Sequence, residues 1–259
     1  MTDASLADMT FGALLVFIRV GGAVMLLPGF ADAAVPPTIR IGLALAVTII
    51  IAPLVAGTLP HIPAAPIILA TILAKEAVIG LTLGWLTRTI VVALPVAGQI
   101  ISYQIGLASV LLPSTEMGAS STLISTGLSI GVPALMLSTG LFAAPLLGLF
   151  NSFHWLPPGL AIGAVHDLDY GGIVRGIVAC VADEFVLAMQ LAAPFLVVGL
   201  IWQVGIGFMA KAAPQLQVFF VAAPLQILGG LILLGAALIP MIAVWSHVTS
   251  RLLTHGFGP

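Results

Sequence analysis

Charged side chains within long apolar runs are the first candidates for chemistry in this sequence. Arg19 lies in one such run, the pair Lys75-Glu76 in a second and the pair Asp183-Glu184 in a third. A charge at the centre of a bilayer costs at least about 2.5 kcal/mol, so each of these groups should face protein, water or an opposite charge. Lys75 has the alternative of extending its ammonium group to the interface from near a helix end. Adjacent carboxylates on a helix point about 100° apart, so Asp183 and Glu184 make a poor general acid–base pair.

The sequence contains no recognisable catalytic or cofactor motif. We find no HExxH, no GxSxG, no Walker loop and no glycine-rich dinucleotide turn after a strand. The histidines are scattered over connections and ends, at spacings that make no metal site: His61, His154, His166, His247 and His255. The single cysteine, Cys180, rules out a disulfide framework. We therefore predict a protein that is not an enzyme and that has no cofactor or bound metal.

A polar segment from Gly98 to Ser121, GQIISYQIGLASVLLPSTEMGASS, separates two long apolar regions. It carries Gln99, Tyr103, Gln104 and Glu116, which a lipid-facing helix would leave without partners. Irregular backbone is tolerated at membrane depth only where protein or water surrounds it. We interpret this segment as a pore- or cavity-facing element with apolar helices packed around it. A plain polar loop between two membrane helices is the alternative.

Composition restricts the class of protein. Of the 259 residues 61% are hydrophobic and 6% are charged, with a net charge of −2, whereas soluble domains carry roughly 25% charged residues. A water-facing surface cannot be built from so few charges, so we predict an integral membrane protein in contact with lipid. No cluster of Lys and Arg is present, which excludes nucleic acid as a partner.

Six regions are long enough to span a bilayer, which takes about 20 apolar residues. They are Phe11–Phe30, Ile39–Leu59, Pro66–Val96, Leu123–Phe150, Ile173–Trp202 and Val218–Val248. Prolines within these runs kink helices, and several glycines favour close helix packing (Gly131, Gly140, Gly148, Gly229 and Gly230). The connections are too short for a soluble domain. The sequence thus predicts one all-α membrane domain over residues 1–259, with about six kinked apolar helices or helical hairpins.

The segment GIGFMAKAAPQLQVFF, Gly205–Phe220, resembles the FliR family of flagellar export-gate proteins and the related SctT proteins of injectisomes. A basic residue precedes Ala-Pro-Gln and an apolar-aromatic pair that opens the last helix, so the motif residues are Lys211, Pro214, Gln215 and Phe219. Further matches follow in order: RVGGAVMLLPGF from Arg19, IGLALAVTIIIAPL after Arg40, KEAVIGLTLGW from Lys75 and AGQIISYQIGLAS from Ala97. The resemblance covers nearly the whole chain. Lys211 stands where an arginine is common, which keeps the charge but loses the bidentate fork.

The resemblance implies a role in type III protein export during biogenesis of the bacterial flagellum. It implies that the chain packs with FliP-like and FliQ-like membrane subunits into a multi-subunit helical export gate. FlhB-like and FlhA-like export proteins would attach to this gate, and unfolded export substrates would pass through it. The implied location is the bacterial inner (cell) membrane, at the flagellar basal body.

The resemblance also implies that residues 106–118 form a loop that plugs the pore. The candidate pore and plug residues are Gln104, Gly106, Leu111, Leu112, Pro113, Glu116 and Met117. Of these, Leu111 and Leu112 could supply the apolar constriction that a closed gate needs. The intramembrane charges are then candidates for contacts between subunits or with the pore: Arg19, Lys75, Glu76, Asp183 and Glu184.

Two other functions were weighed. A small-molecule secondary transporter would use broken helices and charges near the bilayer midplane, such as Arg19 and Asp183. Such transporters are often built from internal repeats, and we find no matching motif between the two halves of the sequence. An intramembrane enzyme would need a nucleophile paired with a base, or a set of metal ligands, and the sequence offers neither.

Overall fold

The computed structural model describes residues 3–31, 35–107, 122–158, 170–212 and 218–257. Every regular element within these ranges is helical, which confirms the predicted all-α fold. The elements are α1 (Asp3–Leu26), α2 (Pro37–Val55) with a following 3₁₀ turn (Ala56–Thr58), α3 (Pro66–Gln104), α4 (Leu123–Ser138), α5 (Ala143–Trp155), α6 (Tyr170–Ala212) and α7 (Val218–Phe257).

By length and composition, five of the described helices can cross a membrane, and α4 with α5 would be a sixth span if the pair counts as one. The pair is bent by 72°, so the fourth apolar region consists of two helices with a sharp break between them, within the predicted pattern of kinked helices or hairpins. The bend follows from local chemistry. Gly140 has a φ of +72°, which L side chains rarely adopt, and Pro145 lies in the first turn of α5, where its missing N–H is tolerated.

Helix α3 continues beyond Val96 to Gln104, so the first part of the polar segment is helical. Polar side chains in this stretch find partners within the helix itself: Ser102 Oγ donates to Gly98 O at 2.8 Å. The helix then ends in a turn at Gly106, whose φ is +82°. Helices commonly end at a residue with a left-handed backbone conformation, and glycine adopts this conformation at the lowest energetic cost.

The chain divides into two compact units. The first comprises Met1–Ile90, Met136–Val181 and Ser250–Pro259, and the second comprises Val91–Leu135 and Ala182–Thr249. In the first unit α1 packs on α2 around a core of Val16, Val20, Ala23, Val24, Leu27, Ala44, Ile51, Val55, Leu149 and Phe153. In the second unit Trp245 is fully buried and its Nε1 donates to Val91 O at 3.3 Å.

Within the first unit α1 lies against α3 at two glycines one helical turn apart. A Cβ on Gly80 would overlap the carbonyl oxygen of Arg19, and a Cβ on Gly84 would lie 2.5 Å from the carbonyl oxygen of Ala23. This is the close backbone approach that small residues four apart permit in membrane helices. Of the glycines expected to favour close packing, Gly230 has such a contact among the described residues, since a Cβ there would overlap Ile105. No described atom lies within 4 Å of a Cβ built on Gly131, Gly140 or Gly229, and packing of these three against other subunits stays a prediction.

We expect Gly80→Ala to destabilise the protein. A backbone carbonyl cannot rotate away from the new methyl group, and overpacking of this kind costs about 1–3 kcal/mol, against a gain in helix propensity of about 1 kcal/mol at most. The measurement is the thermal unfolding midpoint in detergent. Gly42→Ala in α2 is the matched control, since open space surrounds Gly42. Equal midpoints for the two variants would contradict the close contact.

Candidate functional site

Arg19 of α1 is the centre of a buried polar cluster in the first unit. Its side chain is fully buried, and its Nε donates to Glu76 Oε2 of α3 at 2.5 Å. Its Nη1 donates to Ser152 O at 2.9 Å and to Ser152 Oγ at 3.2 Å, and its Nη2 donates to Leu156 O at 2.8 Å. The guanidinium carbon lies 4.2 Å from the centroid of the Phe153 ring. Each guanidinium nitrogen therefore has a partner.

This arrangement explains how a charged side chain is accommodated inside a membrane span. The planar fork of arginine can bond a carboxylate and backbone carbonyls at the same time. The carbonyls of Ser152 and Leu156 belong to the C-terminal end of α5, where a cation is favoured by the helix dipole. Arg19 thus joins three helices, and it fixes the end of α5 relative to α1 and α3.

Lys75 and Glu76 lie in the third turn of α3, not at its end. Lys75 is half-buried, and its Nζ is 3.4 Å from the carbonyl oxygen of Pro157, just after α5. Glu76 is fully buried; its Oε2 accepts from Arg19, while its Oε1 has no hydrogen-bond partner in the described part of the chain. The structure therefore brings together three of the five predicted intramembrane charges. Their role in assembly stays a prediction.

The second unit holds the start of the polar segment in place. Gln226 of α7 donates from Nε2 to Gln104 O at 2.8 Å. The Gln104 side chain rests on the bare backbone of Gly199 in α6, and Ile105 rests on Gly230 in α7, so that a Cβ on either glycine would overlap these side chains. The last turn of α3 is thus fixed by close contacts with α6 and α7 and by one hydrogen bond to the Gln104 carbonyl.

The far end of the same segment is tied back to α3. Thr122 donates from its backbone N and from its Oγ1 to Gln99 Oε1, both at 3.2 Å. Gln99 Nε2 in turn donates to the Tyr103 hydroxyl at 3.1 Å. Residues 108–121 are therefore bracketed by two anchors, Gln226–Gln104 at one end and Gln99–Thr122 at the other. Leu111, Leu112, Pro113, Glu116 and Met117 lie outside the described residues, and so do most of the predicted plug positions.

The two carboxylates of α6 have different surroundings. Glu184 is buried, with 6% of its surface exposed, and its Oε1 has no hydrogen-bond partner among the residues that the structure describes. Asp183 is exposed on the helix, beside the exposed apolar residues Phe185 and Val186. Lys211 is exposed at the end of α6. Pro214 and Gln215 lie outside the described residues, as does the side chain of Phe219.

Comparison with known proteins gives a consistent result. The family described as bacterial export proteins, family 1, matches residues 10–252. The flagellar biosynthetic protein FliR of Caulobacter vibrioides is 35% identical over 253 residues, which are 98% of each chain. The chain belongs to the FliR family of bacterial export proteins. FliR of Bacillus subtilis is 29% identical over 250 residues, 95% of this chain and 93% of that one. The Yop proteins translocation protein T of Yersinia pestis is 28% identical over 191 residues, 73% of this chain and 70% of that one.

Family membership confirms the predicted role in the flagellar type III export apparatus. As a FliR-family protein with several helices able to span a membrane, the chain is a component of flagellar type III protein export in the bacterial inner membrane. The family is a structural component of this apparatus. In the described part of the FliR-family chain no three His, Cys, Asp or Glu side chains gather as metal ligands would.

Two of the residues that anchor the polar segment, Gln226 and Gly199, were not identified from sequence. Gln226 is a lone amide in the charge-free sixth apolar region, and a buried amide in a membrane helix needs a hydrogen-bond partner. The sequence therefore indicates that Gln226 needs a partner, but it does not indicate which residue that partner is. Gly199 is one of the 28 glycines in the FliR-family chain and was not among those expected to favour close packing, whereas Gly230 was.

Proposed function

We propose that this chain is a wall subunit of an export gate, assembled with FliP-like and FliQ-like membrane subunits and contacted by FlhB-like and FlhA-like export proteins. Within this gate it contributes residues 106–118 as the segment that closes the pore to ions and opens for unfolded flagellar subunits. Its role is structural: it shapes and closes a passage, and no step of the proposal requires a catalytic group or a cofactor.

The observation that carries the proposal is the length of apolar surface along α6. In the second unit the exposed apolar side chains of α6 run from Phe185, 56% exposed, to Met209, 62% exposed. At 1.5 Å per residue these positions are about 36 Å apart along the helix, whereas the hydrocarbon core of a bilayer is about 30 Å thick. Part of this apolar surface therefore extends beyond the hydrocarbon core. Other apolar protein chains can cover that part, which supports a multi-subunit assembly.

The anchored segment supports the pore-closing part of the proposal. A plug must be held firmly at its ends, so that its middle can reach into the passage and return to the same place. The anchors Gln226–Gln104 and Gln99–Thr122 meet this need for residues 108–121. The first anchor has one hydrogen bond and the second has two, each worth about 1 kcal/mol. Packing on Gly199 and Gly230 strengthens the first anchor.

Replacing Asp183 and Glu184 together with alanine is expected to weaken assembly. Asp183 is exposed among apolar side chains, and a carboxylate at such a position in a membrane helix favours a polar or cationic partner. The measurement is the amount of FliP-like subunit that co-purifies with the chain, together with motility. Ser246→Ala in α7 is the control, since the Ser246 hydroxyl bonds only within that helix. Normal co-purification and motility in the double variant would contradict a role of these two carboxylates in assembly.

The experiment that tests the proposal is purification from the native membrane in a mild detergent. We expect the chain to elute in one large particle together with other small hydrophobic subunits, in a fixed ratio. Mass spectrometry of the particle identifies these subunits. Elution of the chain as a monomer, with export intact in the same cells, would contradict the proposed assembly.

A further inference from the structure

A groove on the first unit has no part in the arguments above. It has a volume of about 280 Å³ and lies between α1, α2 and α3, all of which are long and apolar enough to span a membrane. Its lining is apolar except for one arginine: Phe17, Ile18, Gly21, Gly22, Met25, Arg40, Ile41, Ala44, Ala77 and Leu81. The groove opens outwards, since Met25, Ile41 and Leu81 on its rim are 53%, 46% and 42% exposed.

The charge in this groove is at one end. Arg40 lies in the first turn of α2, and Met25 lies in the last turn of α1. The end of α1 and the start of α2 are joined by a short connection, so both lie at the same end of the two spans. Phe17 and Ala44 lie further along α1 and α2, away from that end. The groove therefore runs from a cationic mouth at the edge of the spans to an apolar interior.

We propose that this groove binds an anionic phospholipid, with the phosphate at Arg40 and one acyl chain along α1 and α2. Charge complementarity favours this ligand, because among the lining residues only Arg40 is charged and it is positive. Size favours it over a partner helix. A helix with its side chains is about 10–12 Å across, whereas a groove of about 280 Å³ suits a single extended chain. Arginine at the edge of a span is also the residue expected to meet lipid phosphate.

Gly21 gives the sharpest test. It lines the groove, and no heavy atom lies within 4 Å of a Cβ built on it. The Cβ of a leucine there meets no neighbouring atom, and the rest of its side chain would take up space in the groove. Gly42 is the matched control: it has the same open surroundings and does not line the groove. Gly22 is unsuitable, because its Cβ would lie 3.1 Å from the backbone of α3.

The experiment is native mass spectrometry of the full chain, extracted with whatever subunits accompany it and titrated with phosphatidylglycerol or phosphatidylcholine. We expect one tightly held lipid, with phosphatidylglycerol preferred about fivefold, the effect of one cation near an anionic headgroup. Arg40→Gln should abolish the preference and keep acyl-chain binding. Gly21→Leu should lose the bound lipid, and Gly42→Leu should keep it.

Three results would overturn this proposal. The first is an unchanged lipid count in Gly21→Leu. The second is competition by inorganic phosphate, which would make free phosphate the ligand at Arg40. The third is that the parent particle holds no lipid and that the Gly21→Leu variant loses another subunit. This would mean that a protein chain fills the groove. The first two results do not bear on the export-gate proposal, because that proposal does not use the groove. The third would overturn the lipid site and support a multi-subunit assembly.

Discussion

Replacing Arg19 with methionine is expected to lower the free energy of unfolding by about 3–5 kcal/mol, the usual cost of removing one partner from a buried ion pair. Glu76 would be left as a buried carboxylate without a counter-charge, the Leu156 carbonyl would lose the Arg19 donor, and the Ser152 carbonyl would keep only the Leu156 backbone N–H. The measurement is unfolding of the purified protein in detergent. Arg88→Met, on the exposed side of α3, should leave stability nearly unchanged.

The double variant Arg19→Met/Glu76→Leu distinguishes loss of charge pairing from loss of packing. Apolar replacement of both members of a buried pair is often close to neutral, so the double variant should be more stable than Arg19→Met alone. A double variant that is no more stable than the single one would mean that the pair is not what holds α1, α3 and α5 together.

Deleting residues 107–116 is expected to leave assembly intact and to make the membrane leak ions. The deletion removes Leu111 and Leu112, the candidate apolar constriction, but keeps Gln104, Gln226 and Thr122 at the two ends. An apolar constriction closes a pore by excluding water, so its loss should admit ions of any kind. The measurement is conductance across membranes that contain the complete gate. Unchanged conductance in an assembled particle would count against a plug.

Weakening one anchor should give a smaller effect in the same direction. Gln226→Leu removes the donor to Gln104 O, and the loss of one such bond changes an equilibrium by tenfold or less. We therefore expect conductance between that of the parent and that of the deletion variant. Ser246→Ala is the control in the same helix, since its hydroxyl bonds only within α7. Full closure in Gln226→Leu would mean that this anchor is dispensable.

Five of the six spans could be predicted from the sequence because each of these apolar regions forms one helix longer than lipid requires. The fourth region is a sixth span only if the bent pair α4 and α5 counts as one. The ends and bends of the helices could not be predicted. α3 runs on to Gln104 because nothing between Val96 and Gly106 stops a helix, and the polar side chains there bond locally or reach other helices. The fourth region bends at Gly140, where a positive φ depends on packing that a local pattern does not reveal.

The candidate site shows the same limit. The cost of burying a charge predicted that Arg19 would have an acidic or polar partner, and it has Glu76, which lies 57 residues away in the sequence. Ser152 and Leu156 lie more than 130 residues away and contribute backbone carbonyls, which every residue has. Ser152 also contributes its hydroxyl, but its distance in sequence gives no sign of the contact. At the anchor around Gln104, close packing was expected at Gly230, whereas the contact at Gly199 appears only once the helices are packed.

Photo-crosslinking to a stalled export substrate tests the central claim most directly. A photoreactive amino acid is placed at Leu111, within the proposed plug, and at Ile49, which is 72% exposed on α2. The proposed gate predicts an adduct with the stalled substrate at position 111 and none at position 49. Two results together would contradict the claim that this segment lies in the export passage. One is the absence of any adduct between position 111 and the substrate. The other is equal labelling of position 111 by a water-soluble reagent with and without the stalled substrate.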